Sequence, residues 1–544
     1  MIEKIRQLLI ATARKAQIEL PPEIVIERSR RPEHGHFSTN LPLALARVLK
    51  KSPMLIGEEL RTQLLPLPDW LAQAEVKAPG FLNFFLTAEA LQTVIVAIRE
   101  QGKDYGRSIA GQGKKAQVEF VSANPTGPLT VGHGRQAVLG DSVARILEWN
   151  GYQVDREYYY NDAGRQMRIL GHSAYLRYRQ LLGHADELPE DHYQGEYIRE
   201  IAQGLVERYG DRYLGDPEND IFKGAAEEAV FADIRATLED LDILFDRFYN
   251  EKSLYESGLI EDVLQRLQQK GASYEKDGAI WFRAGDYGAE EDRVLWKSVV
   301  DEATYRLPDI AYHETKLKRG YDMVVDIFGA DHHATYPDVL AGLRALGYAT
   351  DPIRVLIHQF VTLTKGGEKV KMSTRKANYV TLRELTEEVG KDVVRYFFIM
   401  RGAKSHLNFD LQLAKTEGEE NPVFYLQYAH ARIASILRNA RHRKIDLDEK
   451  PDLSLLKEAE TLALLEILSE FPELIALCAN TLEPHHITVY LHKLATAFHK
   501  FYTFQRVIGD DEPLTVARLA LVQAVKQVLA NGLAVIGVSA PERM

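Results

Sequence analysis

The stretch AQVEFVSANPTGPLTVGHGRQAVLGDSVARILEWNGYQVDREYYY, residues 116–160, decides the fold of this chain. Residues 116–122 predict a buried strand, and residues 135–151 predict a helix that ends at Gly151. A turn rich in glycine and proline lies between them, and residues 152–160 predict a second strand. A strand, a turn, a helix and a strand in this order are the βαβ signature of a parallel, nucleotide-binding sheet.

The sheet continues beyond this unit. DMVVDIFG (322–329) and IRVLIHQFVTL (353–363) each predict a further strand. Between the two halves of the sheet lies an acidic segment, about 181–300, which we interpret as a largely helical insertion. We therefore expect a Rossmann-like parallel-sheet domain over residues 111–410.

Smaller units flank this domain. Residues 1–110 predict a small α/β domain, with a helix at 38–50 and a buried strand in GFLNFFL (80–86). We place its boundary in the segment GKDYGRSIAGQGKK, which is rich in glycine and charge. Residues 411–544 repeat apolar side chains at helical spacing and predict an α-helical bundle. The fold class is therefore multidomain α/β with a helical C-terminal domain.

The composition excludes several classes of protein. The 544 residues are 45% hydrophobic and 27% charged, as in globular proteins with real cores. Cys478 is the one cysteine, which excludes a disulfide framework and a thiolate-dominated zinc site. The charged N-terminal helix does not resemble a signal peptide, and no apolar run is long enough to span a membrane. We expect a cytoplasmic protein without a membrane partner.

The net charge of −11 is unevenly distributed. Residues 181–300 contain 28 acidic and 13 basic side chains, whereas the rest of the chain has 50 acidic and 54 basic side chains. Residues 1–110 carry 15 basic and 12 acidic side chains. Because phosphate affinity comes from Lys and Arg, a nucleic-acid partner would contact the terminal domains and avoid most of the acidic segment.

Two segments at the ends of predicted strands have phosphate-binding character. The turn 124–135 opens a helix, where free N–H groups attract anions, and Gly132 leaves room for a flat ring or a phosphate. The loop TKGGEKVKMSTR (364–375) places four cations around two glycines. Taken singly, the first favours a helix-capping turn with a surface histidine, and the second favours a solvated charged loop. Together they predict a nucleotide between them.

These segments resemble the signatures of class I aminoacyl-tRNA synthetases. Thr130–His133 resembles their HIGH motif, and Lys371–Arg375 resembles KMSKS. Longer strings over essentially the whole chain resemble bacterial arginyl-tRNA synthetases: EHGHFSTNLPLALAR, VEFVSANPTGPLTVGHGR, YYNDAGRQM, FYNEKSLYESG, TYRLPDIAYH, FGADHH and NPVFYLQYAHARI. The resemblance implies an N-terminal domain that binds the tRNA elbow, a catalytic domain and a helical anticodon-binding domain.

The resemblance also implies the site residues. His133 and Lys371 are the expected catalytic residues. The expected ATP-binding residues are Thr130, Gly132, His133, Asp331, Lys371 and Ser373. The expected arginine-binding residues are Glu119, Ser122, Asn124, Glu251, Tyr305, Asp309 and His332. Carboxylates suit a guanidinium because they accept its paired N–H donors, although an arbitrary carboxylate is more often part of a surface ion pair.

The expected tRNA-binding residues are Phe81, Asn83, Tyr425, Tyr428, Arg432, Tyr502 and Met544. Tyr425, Tyr428 and Arg432 share one face of a predicted helix, where single-stranded bases can stack on the rings. Helical periodicity alone fits a core position for the two tyrosines equally well, and Phe81 also fits a buried strand.

The implied reaction joins arginine to the terminal adenosine of tRNA through an arginyl-adenylate, with ATP and Mg²⁺, and with bound tRNA required for the first step. We expect a monomer without structural zinc or another resident metal. Thr130 replaces the first histidine of the motif, and its hydroxyl is shorter and never cationic. Alternatives are another class I synthetase, a non-catalytic tRNA-binding paralogue, a nucleotidyltransferase fused to a helical domain, and a metal-dependent phosphoesterase using Asp331, His332 and His333.

Overall fold

A computed structural model of the chain describes residues 1–29, 31–330, 333–370, 380–447 and 450–544. The strands are β1 Ile26–Arg28, β2 Phe37–Thr39, β3 Leu71–Lys77, β4 Phe81–Leu86, β5 Lys115–Glu119, β6 Gln153–Tyr160, β7 Arg247–Asn250, β8 Ser273–Lys276, β9 Ala279–Phe282, β10 Arg293–Lys297, β11 Glu302–Ala303, β12 Met323–Gly329, β13 Ile353–His358, β14 Val361–Lys365, β15 Glu368–Lys369 and β16 Leu407–Asp410.

Helices cover most of the remaining chain. They are α1 Ile2–Lys15, α2 Leu41–Leu49, α3 Pro53–Gln63, α4 Ala88–Gln101, α5 Val131–Trp149, α6 Gly164–Leu181, α7 Glu196–Tyr209, α8 Asp220–Asp240, α9 Lys252–Glu256, α10 Leu259–Gln269, α11 Arg306–Lys318, α12 Tyr336–Leu346, α13 Leu382–Val389, α14 Lys391–Ile399, α15 Leu411–Ala414, α16 Pro422–His442, α17 Ala459–Thr481, α18 His485–Phe504 and α19 Glu512–Val535. Within the described part of the chain, no helix has the length and apolarity that crossing a membrane requires.

A five-stranded parallel sheet forms the centre of the molecule, in the order β13-β12-β5-β6-β7. Its inner strands are buried on both faces: Val118 and Val325 on one face and Gln117 and Val324 on the other all have 0% exposure. The helix α5 connects β5 to β6, so the predicted βαβ unit is confirmed. The carboxyl ends of all five strands meet at one edge, where ligands bind in sheets of this type.

The stretch 353–363 does not form one strand, as its apolar run predicted. It divides into β13, which joins the parallel sheet, and β14, which pairs with β15 and β16 in a separate small sheet. The buried guanidinium of Arg135 explains the break, because it donates to the carbonyl oxygens of Gln359, Gly402 and Ser405 at 2.6, 3.1 and 3.0 Å. This contact ties the chain between the two strands to a loop outside the parallel sheet.

The acidic segment 181–300 is only partly helical. The helices α7, α8, α9 and α10 fulfil the prediction in part, but β7 adds an edge strand to the parallel sheet between α8 and α9. The strands β8–β10 join β11, just beyond the segment, in an antiparallel sheet. The strand β7 is recruited by aromatic packing, since the Phe248 ring lies 5.3 Å from that of Tyr158 on β6. Acidic side chains face solvent from helices and strands alike, so the charge of the segment did not reveal these strands.

Two predicted helices begin elsewhere than expected. The predicted helix at 38–50 is shorter, because Phe37–Thr39 pairs with β1 and β4 before α2 begins at Leu41. The helix α5 begins at Val131 rather than at residue 135, because Thr130 and His133 cap its first turn.

The two terminal domains pack against each other, and the C-terminal bundle also packs against the helices α5 and α14. The N-terminal sheet has the antiparallel order β1-β2-β4-β3, and the C-terminal region is the bundle α16–α19. Arg28 joins them by donating to the Glu473 carboxylate at 2.5 Å and to the Ser469 carbonyl at 2.7 Å. The Tyr105 hydroxyl donates to the Leu468 carbonyl at 3.0 Å.

Arg395 joins the parallel-sheet domain to the helical bundle. Its side chain is 0% exposed and binds Asp141 of α5, with Nη2 2.5 Å from Oδ2. The same guanidinium donates to the Leu241 carbonyl at 2.7 Å and to the Ile536 carbonyl at 3.0 Å. Asp141 also pairs with Arg145, whose side chain is 29% exposed. One buried cation therefore satisfies acceptors from three parts of the chain.

We expect Arg395→Met to lower the melting temperature of the full chain substantially. Removing one partner of a buried pair costs about 3 kcal/mol or more, because the remaining polar groups stay buried without a donor. Arg145→Met is the matched control, since it removes a more exposed cation from the same carboxylate. Thermal unfolding followed by circular dichroism measures both. An equal loss in the two variants would contradict the assigned role of Arg395.

Candidate functional site

A cavity of about 850 Å³ opens at the carboxyl edge of the parallel sheet. It brings together most of the residues predicted for ATP and arginine. Those in its lining are Glu119, Ser122, Asn124, Thr130, Gly132, His133, Glu251, Tyr305 and Asp309. Asp331, His332, Lys371 and Ser373 lie outside the described residues, so their predicted roles stay predictions.

His133 is held at the first turn of α5 as a neutral ring. Its Nδ1 accepts the Thr130 backbone N–H at 3.1 Å, which leaves Nε2 to carry the ring hydrogen. Burial lowers the pKa of His133 to about 4, so the ring stays uncharged at neutral pH. His133 can therefore donate one hydrogen bond to an anion in the cavity without changing its charge.

Thr130 and Gly132 complete this turn. The Thr130 hydroxyl lies 3.3 Å from His133 Nδ1, so the residue that replaces the first motif histidine supports the second one. Of the atoms that the structure describes, a Cβ atom on Gly132 would meet only the Thr130 hydroxyl, at 3.6 Å, whereas one on Gly140 would lie 2.1 Å from the Phe120 ring. Gly140 is therefore required by packing. The space above Gly132 is open to a ligand.

The segment after β5 turns sharply into the cavity. Val121 and Ser122 both have left-handed backbone conformations, with φ of 69° and 43°. This conformation is strained for a β-branched residue such as valine. The turn places Ser122 and Asn124 in the lining, where Asn124 Oδ1 accepts the Asn161 backbone N–H at 3.0 Å.

Glu251 lies at one side of the cavity and is held by neutral donors. The Tyr159 hydroxyl donates to its Oε2 at 2.7 Å, and Asn161 Nδ2 donates to its Oε1 at 2.6 Å. Burial raises the pKa of Glu251, with a smaller contribution from the charge of Asp162. Tyr159 and Asn161 were not predicted as site residues, although both lie in the motif YYNDAGRQM.

Asp309 is the second carboxylate of the cavity lining, after Glu251, to which no described Lys or Arg is paired. Burial is the main reason that the pKa of Asp309 rises to about 7; the charges of Glu251 and Glu119 raise it further, against a lowering effect of His313. Among the described residues, neither Asp309 nor Glu251 forms an ion pair with a Lys or Arg. Tyr305, with 58% exposure, lines the same wall. The cavity therefore offers two anionic groups to a cationic ligand.

Three further carboxylates form a row across the sheet. Asp326 of β12 pairs in register with Glu119 of β5, which pairs in register with Glu157 of β6. Their exposures are 0%, 3% and 1%. Like charges on neighbouring strands repel, so this row requires cations from another element.

The helix α11 supplies the cations. The Lys316 ammonium is 0% exposed; it binds Glu119 Oε2 and lies 2.5 Å from Asp326 Oδ1. Arg319 binds Glu157 through two N–H groups. His313 also reaches Asp326, with Nε2 3.2 Å from Oδ2. Lys316, Arg319 and His313 were all missed by sequence reasoning, because nothing in their spacing indicates which strands they reach.

Glu119, His313 and Asp326 also bring potential metal-ligating atoms within 4.8 Å of one another. The Lys316 ammonium already binds the two carboxylates of this group. A divalent cation would have to compete with it at short range. The geometry is that of a buried lysine site rather than a metal site.

The helical domain carries an aromatic surface with Arg432 at its centre. The Arg432 guanidinium lies 4.5 Å from the centroid of the Tyr502 ring and 5.5 Å from that of the Tyr428 ring. Tyr425 and Tyr428 are half-buried rather than core residues, and both rings contact His499, which was not predicted. Rings that are partly exposed beside a cation suit stacking against nucleotide bases.

The remaining residues that are predicted to contact tRNA differ widely in their exposure to solvent. Met544 is 56% exposed at the end of a tail that His430 holds through the Pro541 carbonyl at 2.8 Å. Phe81 is 38% exposed on β4. Asn83 has 0% exposure, and its amide atoms have no hydrogen-bond partner among the described residues. A direct contact between Asn83 and RNA therefore requires its neighbours to move.

Three family models match consecutive parts of the chain. The arginyl tRNA synthetase N terminal domain matches residues 3–86, the catalytic domain of class I (R) tRNA synthetases matches residues 94–398, and the DALR anticodon binding domain matches residues 426–544. The catalytic-domain match includes all the cavity residues described above.

Similar proteins cover the whole chain. The arginine–tRNA ligase of Salinibacter ruber is 49% identical over 540 residues, which is 96% of each chain. That of Chlorobium phaeobacteroides is 47% identical and covers 100% of this chain and 99% of its own. The solved arginyl-tRNA synthetase of Thermus thermophilus matches with a TM-score of 0.79 and 25% identity over 100% of both chains. The chain therefore belongs to the arginyl-tRNA synthetase family, within the class I aminoacyl-tRNA synthetases.

Proposed function

We propose that the chain is an arginine–tRNA ligase that activates L-arginine with ATP and transfers it to the terminal adenosine of tRNA. The observation that carries this proposal is the pair Glu251 and Asp309, two carboxylates to which the described part of the chain supplies no Lys or Arg partner, in a cavity that also contains His133. Burying such groups unpaired is unfavourable, and a guanidinium, with several N–H donors, relieves that cost for both. A neutral amino-acid side chain would leave both carboxylates unpaired.

Arginine would occupy the cavity with its guanidinium between Glu251 and Asp309. Tyr305 would pack beside the aliphatic part of the side chain. The α-amino and α-carboxylate groups would then face the strained turn after β5, which carries Ser122 and Asn124. We propose Glu119 and His332 as the further contacts to that end of the substrate.

ATP would bind above Gly132, where the absence of a side chain leaves space for the adenosine. His133 would donate its Nε2 hydrogen to the phosphate that is attacked. We propose that Thr130, Asp331, Lys371 and Ser373 complete the nucleotide site. Mg²⁺ would accompany the phosphates and neutralise part of their charge, held mainly by phosphate oxygens and water. We propose no structural zinc or other resident metal.

The reaction requires no covalent nucleophile from the protein. The arginine carboxylate attacks the α-phosphorus of ATP, and the bond to pyrophosphate breaks. A ribose hydroxyl of the terminal adenosine then attacks the acyl carbon, loses its proton and releases AMP. Positioning and charge stabilisation account for such catalysis, with His133 and Lys371 stabilising the negative charge on the phosphates. We further propose that the first step requires bound tRNA.

The tRNA would contact the two terminal domains, residues 1–110 and 411–544, and the ligand edge of the catalytic domain, residues 111–410. Phe81 and Asn83 are the proposed elbow contacts, and Tyr425, Tyr428, Arg432, Tyr502 and Met544 are the proposed anticodon contacts. The tRNA would avoid most of the acidic segment 181–300 because its carboxylates repel phosphate. We propose a cytoplasmic monomer.

Aminoacylation with labelled arginine tests this function. The chain should charge bacterial arginine-accepting tRNA, release AMP and pyrophosphate, and discriminate against lysine and glutamate. ATP–pyrophosphate exchange should need tRNA, and His133→Ala should lower kcat by about 10²–10³ because it removes a donor to the phosphate. Exchange that is equally fast without tRNA would contradict the proposed tRNA dependence, and preferential charging with another amino acid would contradict the proposed substrate.

Arginine binding should strengthen as the pH rises through 7. The pKa of Asp309 is about 7 in the empty cavity, and only the ionised carboxylate pairs with a guanidinium. For that pKa, the Kd for arginine should fall roughly tenfold between pH 6 and pH 8. Calorimetry at pH 7 in buffers of different ionisation enthalpy should detect about half a proton released on binding, because Asp309 is half protonated at that pH.

Asp309→Asn is the control for this prediction. It should bind arginine far more weakly at pH 8 and release no proton from this position. It should also unfold at a higher temperature than the parent chain at pH 8, because a carboxyl whose pKa is raised by folding destabilises the folded state above its unfolded pKa. Unchanged proton release in this variant would show that another group is responsible.

Tyr428→Ala should weaken tRNA binding without changing arginine or ATP binding. Loss of one stacking surface costs about 1–3 kcal/mol, which corresponds to a five- to 150-fold increase in Kd for tRNA. Tyr425→Phe is the matched control, since it keeps the ring and removes only the hydroxyl that donates to Thr496 at 3.3 Å. Filter binding with labelled tRNA measures both; equal affinities would place the anticodon elsewhere.

A further inference from the structure

Lys316 occupies a position that substrate binding, as proposed above, does not use directly. It is 0% exposed, and its ammonium lies between Glu119 and Asp326, two neighbours in the row of carboxylates. The ammonium also lies 4.4 Å from the centroid of the Tyr312 ring. A fully buried lysine with two carboxylates and an aromatic face around it has one well-defined position.

The two oxygens of Glu119 have different partners. Oε2 binds Lys316 beneath the cavity, and Oε1 accepts the Ser122 hydroxyl at 2.8 Å. Ser122 Oγ in turn accepts the Tyr159 backbone N–H at 3.2 Å. Both contacts hold the carboxylate in one orientation while it still lines the cavity. Each oxygen retains a lone pair for a ligand.

The helix α11 connects both ends of the proposed arginine site. Asp309, Tyr312, His313 and Lys316 lie at positions i, i+3, i+4 and i+7, on one face of this helix. Asp309 faces the cavity, and Lys316 reaches through to Glu119 on β5. The helix α11 therefore fixes the position of Asp309, which is proposed to pair with the guanidinium, relative to Glu119 at the opposite end of the proposed arginine site.

We propose that Lys316 is a positioning residue that holds the Glu119 carboxylate in the orientation that binds the α-ammonium group of arginine. The inference rests on the proposed function and adds to it a residue that never touches the substrate. Without Lys316, Glu119 and Asp326 would be adjacent buried carboxylates, and one would take up a proton or turn away. The α-ammonium would then lose its anionic partner, whereas the guanidinium would keep Asp309 and Glu251.

The test compares L-arginine with 5-guanidinopentanoate, which is the same molecule without the α-amino group. Both are measured by calorimetry with the full chain. The parent chain should bind arginine at least tenfold more tightly. The ratio of the two dissociation constants, that of 5-guanidinopentanoate over that of arginine, should fall to about threefold or less in Lys316→Met. The affinity for ATP should be unchanged, and the KM for arginine in the charging reaction should be higher.

Arg319→Met is the matched control. It removes the cation that directly follows the same helix and that binds the third carboxylate of the row, Glu157, which does not line the cavity. It should lower the melting temperature while leaving the ratio as in the parent chain. A merely structural role for Lys316 would give the same result in both variants.

If Lys316→Met does not fold, the same comparison is made with the double variant Lys316→Met/Asp326→Asn. It removes one charge of each sign, and replacing a buried pair as a whole is much less destabilising than breaking it. The ratio should fall here as well, because Glu119 still lacks the ammonium that orients it. A ratio that stays as in the parent chain, or a parent ratio near one, would overturn the proposal. Failure of the parent chain to bind arginine would instead contradict the proposed function.

Discussion

The row of carboxylates formed by Asp326, Glu119 and Glu157 places the strongest constraint on this fold. Three buried anions stand side by side on neighbouring strands, where repulsion would open the sheet at its ligand edge. The face of α11 that carries Lys316 neutralises two of them, and Arg319, which follows the helix, neutralises the third. The position of α11, and therefore of every ligand-facing residue on it, follows from this pairing.

Glu251 and Asp309 differ from the carboxylates of the row, because no described Lys or Arg forms an ion pair with either of them. Glu251 is supported by the neutral donors Tyr159 and Asn161, and Asp309 stands on the first turns of α11. The protein supplies a matching cation to the acidic groups below the cavity and none, within its described residues, to the two in its wall. Under the proposed function, that difference would account for selection of a cationic amino acid by a cavity whose lining also contains aliphatic and aromatic side chains.

The side of the cavity that is proposed to bind the nucleotide is organised by a neutral histidine at the start of α5. His133 is neutral because it is buried, and its hydrogen is directed by the Thr130 backbone at the start of α5. The other half of α5 carries Asp141, which Arg395 ties to the C-terminal bundle. The helix that presents His133 is thus fixed at one end by its own capping turn and farther along by the helical domain that carries the aromatic surface around Arg432.

Much of this protein could be predicted from local sequence patterns. The βαβ unit, the helical C-terminal domain and the position of the cavity at the strand ends follow from hydrophobic periodicity and turn residues within short windows. The motif residues Glu119, Asn124, His133, Glu251 and Asp309 were recognised one by one, and all of them meet in one cavity. Their roles in binding remain predictions, as do those of Lys371 and Ser373.

Only the tertiary structure decided which charges meet. Glu119, Glu157 and Asp326 are distant in the chain, and their side-by-side arrangement arises from strand register, which no local pattern encodes. The cations opposite them come from a helix packed across the strands and from the residue that follows it, and no local pattern distinguishes Lys316 from other lysines in the sequence. The division of residues 353–363 into strands of two sheets has the same origin, because the buried Arg135 that ties down the break comes from a distant helix. Sequence determined the elements and the chemistry available; packing determined which of those groups are paired and which are left for a ligand.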